Sequence, residues 1–401
     1  MTLVPQSRAH ESRPRRVTFV VTGLTTGGAE MMLYKLVGAL PADDFSPSVI
    51  SLLDEGPVGK RIRELGIPVF ALGLHGAWQL PRALTRLAMI CREINPQVLV
   101  GWMYHGNLFA TIAAATAARE AALVWSIRQS LYDLAAERPL TRVVIRAGAR
   151  LSARPYAIIY NSNLAAQQHR SHGYRPLHEV LIPNGFDCDV FRPSPEARAA
   201  LRARLHLPLA THLVGLVARY HPMKDHASFL EAARLLAAES EAHFVCAGAG
   251  VDNANPRLTA IIKEGGLTDR VHLLGEMPDV ADLLAGLDVL CLSSSRGEGF
   301  PNVVGEAMAC GVPCVVTDVG DSAMVVGDTG CVVPPGDPAA LARACAGLLD
   351  EPAAAKTARS RAARDRVVNH FSLQAVAMQY AQLLNDAAGA SGPTAERMRG
   401  E

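Results

Sequence analysis

The 401-residue sequence predicts an α/β protein built from two doubly wound, Rossmann-like domains. Three observations support this fold class. The chain is longer than a single hydrophobic core usually holds. Short β-branched runs alternate with helical patterns, which is typical of parallel sheets covered by helices on both faces. The alternation stops at a polar, proline-bearing segment, residues 184–195, and then starts again, so we expect the domain boundary there.

The predicted strands of the first half are residues 17–22, 48–53, 68–72, 97–100, 122–127 and 157–160, and a further apolar run ends just before the boundary segment. Those of the second half are residues 213–218, 243–247, 271–274, 288–292, 314–317 and 331–333. Ligands of doubly wound sheets gather at the carboxyl ends of the strands. Polar residues that directly follow a strand are therefore the candidates for a binding site.

Composition narrows the class of protein. Lys and Arg total 39 against 38 Asp and Glu, so the bulk charge does not indicate a nucleic-acid partner. The eight cysteines lie mostly in apolar runs without a C-x-x-C pair, which favours buried free thiols over disulfides or zinc ligands. No signal-peptide core and no run of about 18 apolar residues is found, so we expect a cytoplasmic protein. Residues 1–16 and 387–401 are expected to be a disordered leader and tail.

A glycine turn follows the first predicted strand. Gly27 and Gly28 allow the backbone to approach a ligand closely, and Glu30 falls in the first turn of the next helix, where the helix dipole favours a carboxylate. A tight turn with a helix-stabilising glutamate explains the same residues equally well. The G-x-G-x-x-G spacing of a dinucleotide site is missing.

Polar residues also follow the fourth and fifth predicted strands. A single His or Arg after a strand is more often a cap or a surface residue, but the recurrence at equivalent positions favours a functional interpretation. The residues concerned are Tyr104, His105, Gly106 and Asn107 in the first group, and Arg128, Gln129 and Ser130 in the second.

Arginine recurs at every fourth position after the fifth strand. On a helix this spacing forms a basic stripe beside an apolar one, and such a face can rest on anionic lipid. The alternative is a solvated helix edge whose apolar side packs on the sheet. The stripe consists of Arg138, Arg142, Arg146, Arg150 and Arg154.

Two charged pairs in the middle of the chain have competing interpretations. Asp187 and Asp189 have the spacing of a D-x-D metal site, but a turn in the linker explains them better. Arg219 and Lys224 lie just past the first strand of the second domain, where a guanidinium and an ammonium could clamp a diphosphate. An ordinary exposed charge cluster is the alternative for this second pair.

The segment 288–318 carries the strongest functional signal, because it predicts a strand, a small-residue loop, a helix and a strand. Glu298 lies in the loop and Glu306 in the helix. Between them, the backbone of Gly299, Phe300 and Asn302 runs where the first amides of a helix are unpaired, and such amides favour an anion. Carboxylates accept hydrogen bonds from hydroxyl groups. A ligand that combines phosphate with many hydroxyls, such as a nucleotide sugar, fits this arrangement.

These separated stretches together resemble the retaining glycosyltransferases of the GT-B fold, family 4. Glu298 and Glu306 are similar to the E-x7-E motif of that family, and the resemblance extends over nearly the whole chain. It implies an acceptor-side domain at residues 17–187, a nucleotide-sugar-binding domain at 188–370, and a helix at 371–386 that crosses back to the first domain. The active site is then the cleft between the domains.

The resemblance also implies roles for individual residues. Glu298 would hold hydroxyls of the donor sugar, and Glu306 the ribose hydroxyls. Arg219 and Lys224 would stabilise the departing diphosphate, with retention of anomeric configuration and without a metal ion or cofactor. The remaining donor-binding positions would be the backbone at Gly27, Gly28, Gly299, Phe300 and Asn302.

Two positions depart from the family pattern. Many relatives have a histidine in the loop after the fifth strand, where this sequence has Arg128, which cannot act as a base at neutral pH. Arg128 could instead bind the donor or a phosphorylated acceptor, which leaves His105 as a candidate nearer to the reaction. Met324 stands where a glutamate is common.

The expected partners are a nucleotide-diphosphate sugar donor and a sugar or lipid-linked sugar acceptor, in the synthesis of a polysaccharide or glycolipid. Peripheral membrane contact through the arginine stripe is expected as well, at the inner face of the membrane, and a nucleic-acid partner is not. Two alternatives stay open: a nucleotide-sugar 2-epimerase of the same fold, and a non-catalytic protein that binds a nucleotide sugar.

Overall fold

The computed structural model describes residues 13–132, 134–277 and 279–390, which form two parallel sheets with helices on both faces. The seven-stranded sheet of the N-terminal domain has the order β3-β2-β1-β4-β5-β6-β7. Its strands are β1 (Arg15–Val21), β2 (Phe45–Ser51), β3 (Val69–Ala71), β4 (Val98–Trp102), β5 (Ala122–Ile127), β6 (Ala157–Tyr160) and β7 (Glu179–Leu181). The α-helices of this domain are α1 (Gly28–Ala39), α2 (Gly56–Glu64), α3 (Leu80–Ile94), α4 (Met103–Thr116), α5 (Pro139–Leu151) and α6 (Asn163–Ser171).

The C-terminal domain has a six-stranded sheet in the order β10-β9-β8-β11-β12-β13. Its strands are β8 (Leu213–Val217), β9 (His243–Ala247), β10 (Val271–Leu273), β11 (Val289–Leu292), β12 (Cys314–Thr317) and β13 (Cys331–Val333). The helices that follow the domain boundary are α7 (Pro195–Arg204), α8 (His226–Ala237), α9 (Pro256–Glu264), α10 (Ala281–Ala285), α11 (Asn302–Ala309), α12 (Ser322–Val326), α13 (Pro338–Asp350), α14 (Ala353–His370) and α15 (Leu373–Ala390).

This architecture confirms the predicted fold class. Each of the strand ranges expected from the sequence overlaps an observed strand, since every one was a short apolar run bounded by turn residues. Two limits differ from expectation. Strand β1 begins at Arg15, inside the expected leader, and α15 continues to Ala390, inside the expected tail. Residues 1–12 and 391–401 of these expected segments lie outside the described residues.

The chain passes between the domains twice, and the two passages lie side by side. The backbone N–H of Phe186 donates to the carbonyl of Phe371 at 2.8 Å, and the N–H of Leu373 donates back to the carbonyl of Phe186 at 2.8 Å. Helix α15 then packs on α1, β4 and β5, so the last helix belongs to the N-terminal core. Two hydrogen-bonded passages of the chain therefore form the hinge between the domains.

Three further predictions from the sequence concern the state of the cysteines, the pair Asp187 and Asp189, and membrane-spanning helices. All eight cysteines are free, and six of them are buried, which confirms the predicted buried thiols. Asp187 Oδ1 accepts hydrogen bonds from the N–H groups of Asp189 and Val190, each at 3.1 Å, so it closes a turn in the linker. Among the described residues, no helix combines the length and apolarity that crossing a bilayer requires.

Candidate functional site

A cavity of about 350 Å³ lies between the two domains. It forms where the carboxyl ends of the central strands of both sheets face each other, which is the position expected for the ligand site of doubly wound sheets. The N-terminal domain and the linker supply Gly28, Ala29, Arg128, Gln129, Ser130, Tyr132, Asn161 and Asn184, and the C-terminal domain supplies Met223, Gly297, Gly299, Phe300 and Asn302.

Five of the eleven residues that the sequence suggested for the site line the cavity: Gly28, Arg128, Gly299, Phe300 and Asn302. The other six lie outside its lining: Gly27, His105, Arg219, Lys224, Glu298 and Glu306. The predicted residues are thus divided between the cavity lining and positions outside it.

Arg128 lies at the end of β5 and is buried, with 8% of its surface exposed. Its Nη1 donates to the hydroxyl of Tyr380 at 2.6 Å, and its Nη2 to the carbonyl of Pro183 at 3.1 Å. Nε donates to Oδ1 of Asn184 at 3.2 Å, and the guanidinium lies 5.3 Å from the ring of Trp102. Burial lowers the pKa of this arginine. The side chain therefore joins the sheet, the linker and α15, all through neutral partners.

A polar chain continues from Arg128 into the other domain. Asn184, which accepts from Arg128, donates through Nδ2 to Oδ1 of Asn302 at 2.6 Å. Asn302 is the first residue of α11, and Pro301 precedes it as the N-cap. The first amides of a helix have no intrahelical partner, so this end of α11 offers donors to an anion beside the cavity.

Glu298 and Lys224 form a closed pair beside that helix end. Lys224 Nζ lies 2.5 Å from Glu298 Oε1, and Ser294 Oγ donates to the same oxygen. Glu298 is 5% exposed. No described residue donates to its second oxygen, Oε2. A buried carboxylate held by a cation on one oxygen keeps the other for a hydroxyl donor.

The loop around Glu298 is shaped by two glycines. Gly297 has φ +84°, and a Cβ there would collide with the methyl group of Met223. Gly320 has φ +60°, and a Cβ there would lie 1.9 Å from the carbonyl oxygen of Glu298. Both positions need the left-handed backbone that glycine adopts without strain. The local sequence therefore allows a close packing that larger side chains would prevent.

The remaining predicted residues are more loosely connected. Arg219 is exposed and forms no ion pair with a described residue. Glu306 lies in α11 and is partly buried; burial raises its pKa, while the nearby charge of Lys35 in α1 opposes that rise. His105 lies in the first turn of α4 rather than in a loop, and burial lowers its pKa. Gly27 is the N-cap of α1.

The aromatic side chain of Phe300 has a role that the sequence did not indicate. Its ring stacks on Phe186 with a centroid separation of 5.9 Å and meets the edge of Phe371 at 5.7 Å. Gly305 lies below Phe186, and a Cβ there would be 2.2 Å from the ring. The cavity loop is thus packed directly on both passages of the hinge.

Three hydrogen-bonding residues near the cavity were missed from the sequence. Tyr132 donates its hydroxyl to the carbonyl of Glu298 at 2.7 Å, across the domain boundary. Asp321 accepts from the backbone of Asn163 at 2.7 Å, also across the boundary. Asn161 follows β6 directly and lines the cavity. Only Asn161 had a usable sequence signal, since it is a polar residue at the carboxyl end of a predicted strand.

Three arginines of the predicted stripe, Arg142, Arg146 and Arg150, lie on α5, whereas Arg138 is the N-cap of this helix and Arg154 follows its last turn. Val144 and Ile145 are buried against the rest of the domain, but Leu140 and Val143 are 68% and 60% exposed. The apolar side of this helix is therefore only partly covered. A depression of about 530 Å³ beside its C-terminus is lined by residues that include Arg146, Arg150, His172 and Arg175.

Comparison with known proteins gives two family matches that together cover most of the chain. The model described as "Glycosyltransferase Family 4" matches residues 26–190, and the model described as "Glycosyl transferases group 1" matches residues 211–351. Each match falls on one of the two domains.

Two curated relatives illustrate the sequence similarity. This chain is 36% identical over 214 residues to the D-inositol 3-phosphate glycosyltransferase of Mycobacterium avium, covering 51% of this chain and 49% of the relative. It is 34% identical over 231 residues to the lipopolysaccharide core biosynthesis mannosyltransferase LpcC of Rhizobium leguminosarum, covering 55% of this chain and 64% of the relative. The chain therefore spans about half to two thirds of the length of these relatives.

Among solved structures, Anabaena HepE in complex with UDP superposes with a TM-score of 0.79 and 22% sequence identity. The alignment covers 92% of this chain and 100% of that one. At this level of identity the similarity establishes a common fold for the two proteins.

Proposed function

Because this chain belongs to the group 1, family 4 glycosyltransferases, we propose that it moves a sugar from a nucleotide-diphosphate sugar to an acceptor hydroxyl with retention of anomeric configuration. The observation that carries the proposal is the Lys224–Glu298 pair, 2.5 Å apart, beside the N-terminus of α11 at the domain cleft. Cation, helix amides and carboxylate meet where a phosphate and a hydroxyl-rich ring would both be bound.

The donor lies on the C-terminal wall in this proposal. The first amides of α11 and the cation of Lys224 bind the diphosphate, and Arg219 reaches it from the loop after β8. Oε2 of Glu298 accepts from a hydroxyl of the sugar, and Glu306 accepts from the ribose. The similar Anabaena protein was solved with UDP and with UDP-glucose, which supports choosing a uridine nucleotide as the first ligand to test.

Catalysis in this arrangement depends on stabilising the leaving group. Cleavage at the anomeric carbon leaves negative charge on the diphosphate, and fixed donors that meet this charge lower the barrier. Lys224 and Arg219 supply two positive charges there, so we propose that transfer needs no divalent metal ion. The departing phosphate takes the proton of the acceptor hydroxyl on the same face of the sugar, which gives retention. We expect activity to persist in the presence of a chelator.

A binding screen tests the donor site. Purified protein is heated with a panel of nucleotide sugars, beginning with UDP-glucose, and a ligand of the folded state raises the melting temperature. Transfer to an acceptor mixture and hydrolysis or epimerisation without acceptor are then measured with the donor that binds. Lys224→Ala and Glu306→Ala should each abolish the thermal shift. If both variants bound and transferred like the wild type, the assigned donor site would be wrong.

The acceptor proposed here is a sugar or lipid-linked sugar in polysaccharide or glycolipid synthesis, reached at the inner face of a membrane. The exposed Leu140 and Val143 on α5 can enter the interfacial layer of a bilayer, while Arg146 and Arg150 meet anionic headgroups. The curated relatives include a lipopolysaccharide core mannosyltransferase, which supports this class of product.

Liposome flotation tests the membrane contact. The wild type should float with vesicles that contain anionic lipid and not with purely zwitterionic ones, and added salt should release it. The variant with Arg142, Arg146 and Arg150 changed to Glu should remain at the bottom of the gradient. A matched variant with the exposed Arg204, Arg343 and Arg361 of the C-terminal domain changed to Glu carries the same charge change. Equal loss of flotation in both variants would contradict a specific α5 surface.

A further inference from the structure

Asn161, a residue of the cavity lining, carries a hydrogen-bond acceptor that has no partner among the described residues. The residue follows β6 directly and is 6% exposed. Its Nδ2 donates to the carbonyl of Arg128 at 3.4 Å, whereas its Oδ1 is buried and receives no hydrogen bond from any described residue. Buried polar atoms without a partner are rare in folded proteins. Because Asn161 lines the cavity, the missing donor is one that a bound ligand could supply.

The orientation of the Asn161 amide follows from its neighbour. Rotating the amide by half a turn would set Oδ1 against the carbonyl oxygen of Arg128, and two acceptors would then face each other. The acceptor end of the side chain is therefore the end that remains for the ligand. This end suits a hydroxyl donor, and it repels a phosphate oxygen.

Arg128 does not offset that preference. Its three nitrogens already donate to Asn184, Pro183 and Tyr380, and its face rests near Trp102. A guanidinium has five N–H donors, so little of its hydrogen-bonding capacity remains to grip an incoming phosphate as a fork. The two neighbouring groups on this wall, a committed arginine and a free amide oxygen, both fit an uncharged ligand group.

We propose that Oδ1 of Asn161 accepts a hydrogen bond from a hydroxyl of the acceptor sugar, and that this position of the N-terminal wall thereby selects a neutral hydroxyl group over a phosphorylated one. The inference rests on the proposed function, since it takes the donor to occupy the opposite wall, at Gly299, Asn302 and the Lys224–Glu298 pair. It assigns the acceptor class to a residue that neither domain match singles out.

The test measures donor and acceptor binding separately. Protein saturated with UDP is titrated with n-octyl glucoside, n-octyl mannoside and n-octyl galactoside. It is titrated in the same way with the 6-phosphates of these three octyl glycosides. UDP-glucose affinity is measured on its own. At least one neutral glycoside should bind the wild type more tightly than its phosphate does. Asn161→Ala should weaken that glycoside about fivefold to tenfold, as expected for one lost hydrogen bond, and should leave UDP-glucose affinity within about twofold.

Two further variants separate recognition from folding. Asn161→Asp keeps an acceptor oxygen, but while the carboxyl group is ionised its second oxygen faces the carbonyl of Arg128 without a proton. Protonation restores a donor there, so the glycoside affinity of this variant should rise as the pH falls from about 7 to about 4, whereas that of Asn161→Ala should not. Asn107→Ala is the matched control, because Asn107 is also buried with an unsatisfied Oδ1 but does not line the cavity. It should leave glycoside affinity unchanged.

The outcomes distinguish this inference from the proposed function. Tighter binding of a sugar phosphate than of its neutral counterpart would overturn the inference, as would failure of every neutral glycoside to bind. Weakened UDP-glucose binding in Asn161→Ala would show that Asn161 belongs to the donor site, and this result would overturn the inference as well. Absence of any UDP-glucose binding to the wild type would instead count against the donor proposal, and the glycoside titrations of the unliganded protein would then decide the inference by the same criteria.

Discussion

Asp321 of the C-terminal domain accepts a 2.7 Å hydrogen bond from the backbone N–H of Asn163, the first residue of α6 in the N-terminal domain. The N–H of Leu164 lies 3.4 Å from the other carboxylate oxygen. A helix N-terminus stabilises a carboxylate, so this contact fastens one domain to the other. Burial nevertheless raises the pKa of Asp321, because the closed cleft removes the carboxylate from water.

Asp321→Ala should therefore loosen the closed arrangement. We expect a loss of about 1 kcal/mol in the free energy of closure, as for a removed helix cap, and a larger radius of gyration in small-angle scattering of the unliganded protein. Asp318→Ala is the control, since Asp318 is exposed in the same loop. An unchanged scattering profile for the Asp321 variant would show that the contact does not hold the domains together.

The Lys224–Glu298 pair predicts different effects for single and double substitutions. Lys224→Met leaves the 5% exposed Glu298 without its cation and should lower the free energy of unfolding by about 3 kcal/mol, the low end for a broken buried pair because the Lys224 side chain is partly exposed. The double variant Lys224→Met with Glu298→Gln removes both charges and should regain most of that stability. Transfer activity should stay absent in both. Denaturant titration and a donor-transfer assay check the two parts, and recovery of activity in the double variant would contradict the catalytic assignment.

We expect the ionised carboxyl group of Glu306 to lower the stability of the folded protein while it contributes to donor binding. Burial raises the pKa of its carboxyl group in the folded protein, so the charged form is disfavoured relative to the unfolded chain. The corresponding penalty is absent below the unfolded pKa and is established as the pH rises through the folded pKa. Glu306→Gln should therefore raise the melting temperature at about pH 7, with a gain that disappears towards about pH 4.

The same Glu306→Gln variant should bind UDP-glucose more weakly at about pH 7, because an amide replaces the carboxylate that accepts from the ribose hydroxyls. Glu264→Gln changes an exposed glutamate and serves as the control for both measurements. A lower melting temperature for the Glu306 variant at about pH 7 would contradict the sign of the predicted effect.

Gly320 predicts a position where even one methyl group disturbs the site. A Cβ at this residue would lie 1.9 Å from the carbonyl oxygen of Glu298, in addition to the strain of φ +60°. Gly336 has φ +73° but open space around its Cβ position, so Gly336→Ala introduces the backbone strain alone, about 1–2 kcal/mol. Gly320→Ala should lose more stability than Gly336→Ala in the same denaturant titration. Gly320→Ala should also lose donor binding. An equal loss of stability in the two variants would contradict the proposed collision with the carbonyl oxygen of Glu298.

The sequence by itself determined the fold. The alternation of short apolar runs with helical patterns predicts two doubly wound sheets, because strand and helix periodicity are local properties of the chain. It also located the segment around Glu298 and Glu306, since glycines, a proline and two carboxylates at a fixed spacing mark a loop that leads into a helix. These features arise from residues that are close together in the sequence, so they can be recognised without a structure.

Only the tertiary structure decided which side chains meet across the cleft. The sequence predicts Arg128 at the reaction centre. Its partners Asn184 and Tyr380 lie 56 and 252 positions away, and they make Arg128 a buried junction of sheet, linker and last helix as well as a residue of the cavity lining. Asp321 and Asn163 are separated by 158 positions. Contacts between residues so far apart in the sequence depend on how the last helix packs on the N-terminal sheet and on how one domain packs on the other. Local periodicity carries no record of either packing. The spacing of glutamates could thus indicate a donor site, while the wall opposite it was defined only by folding.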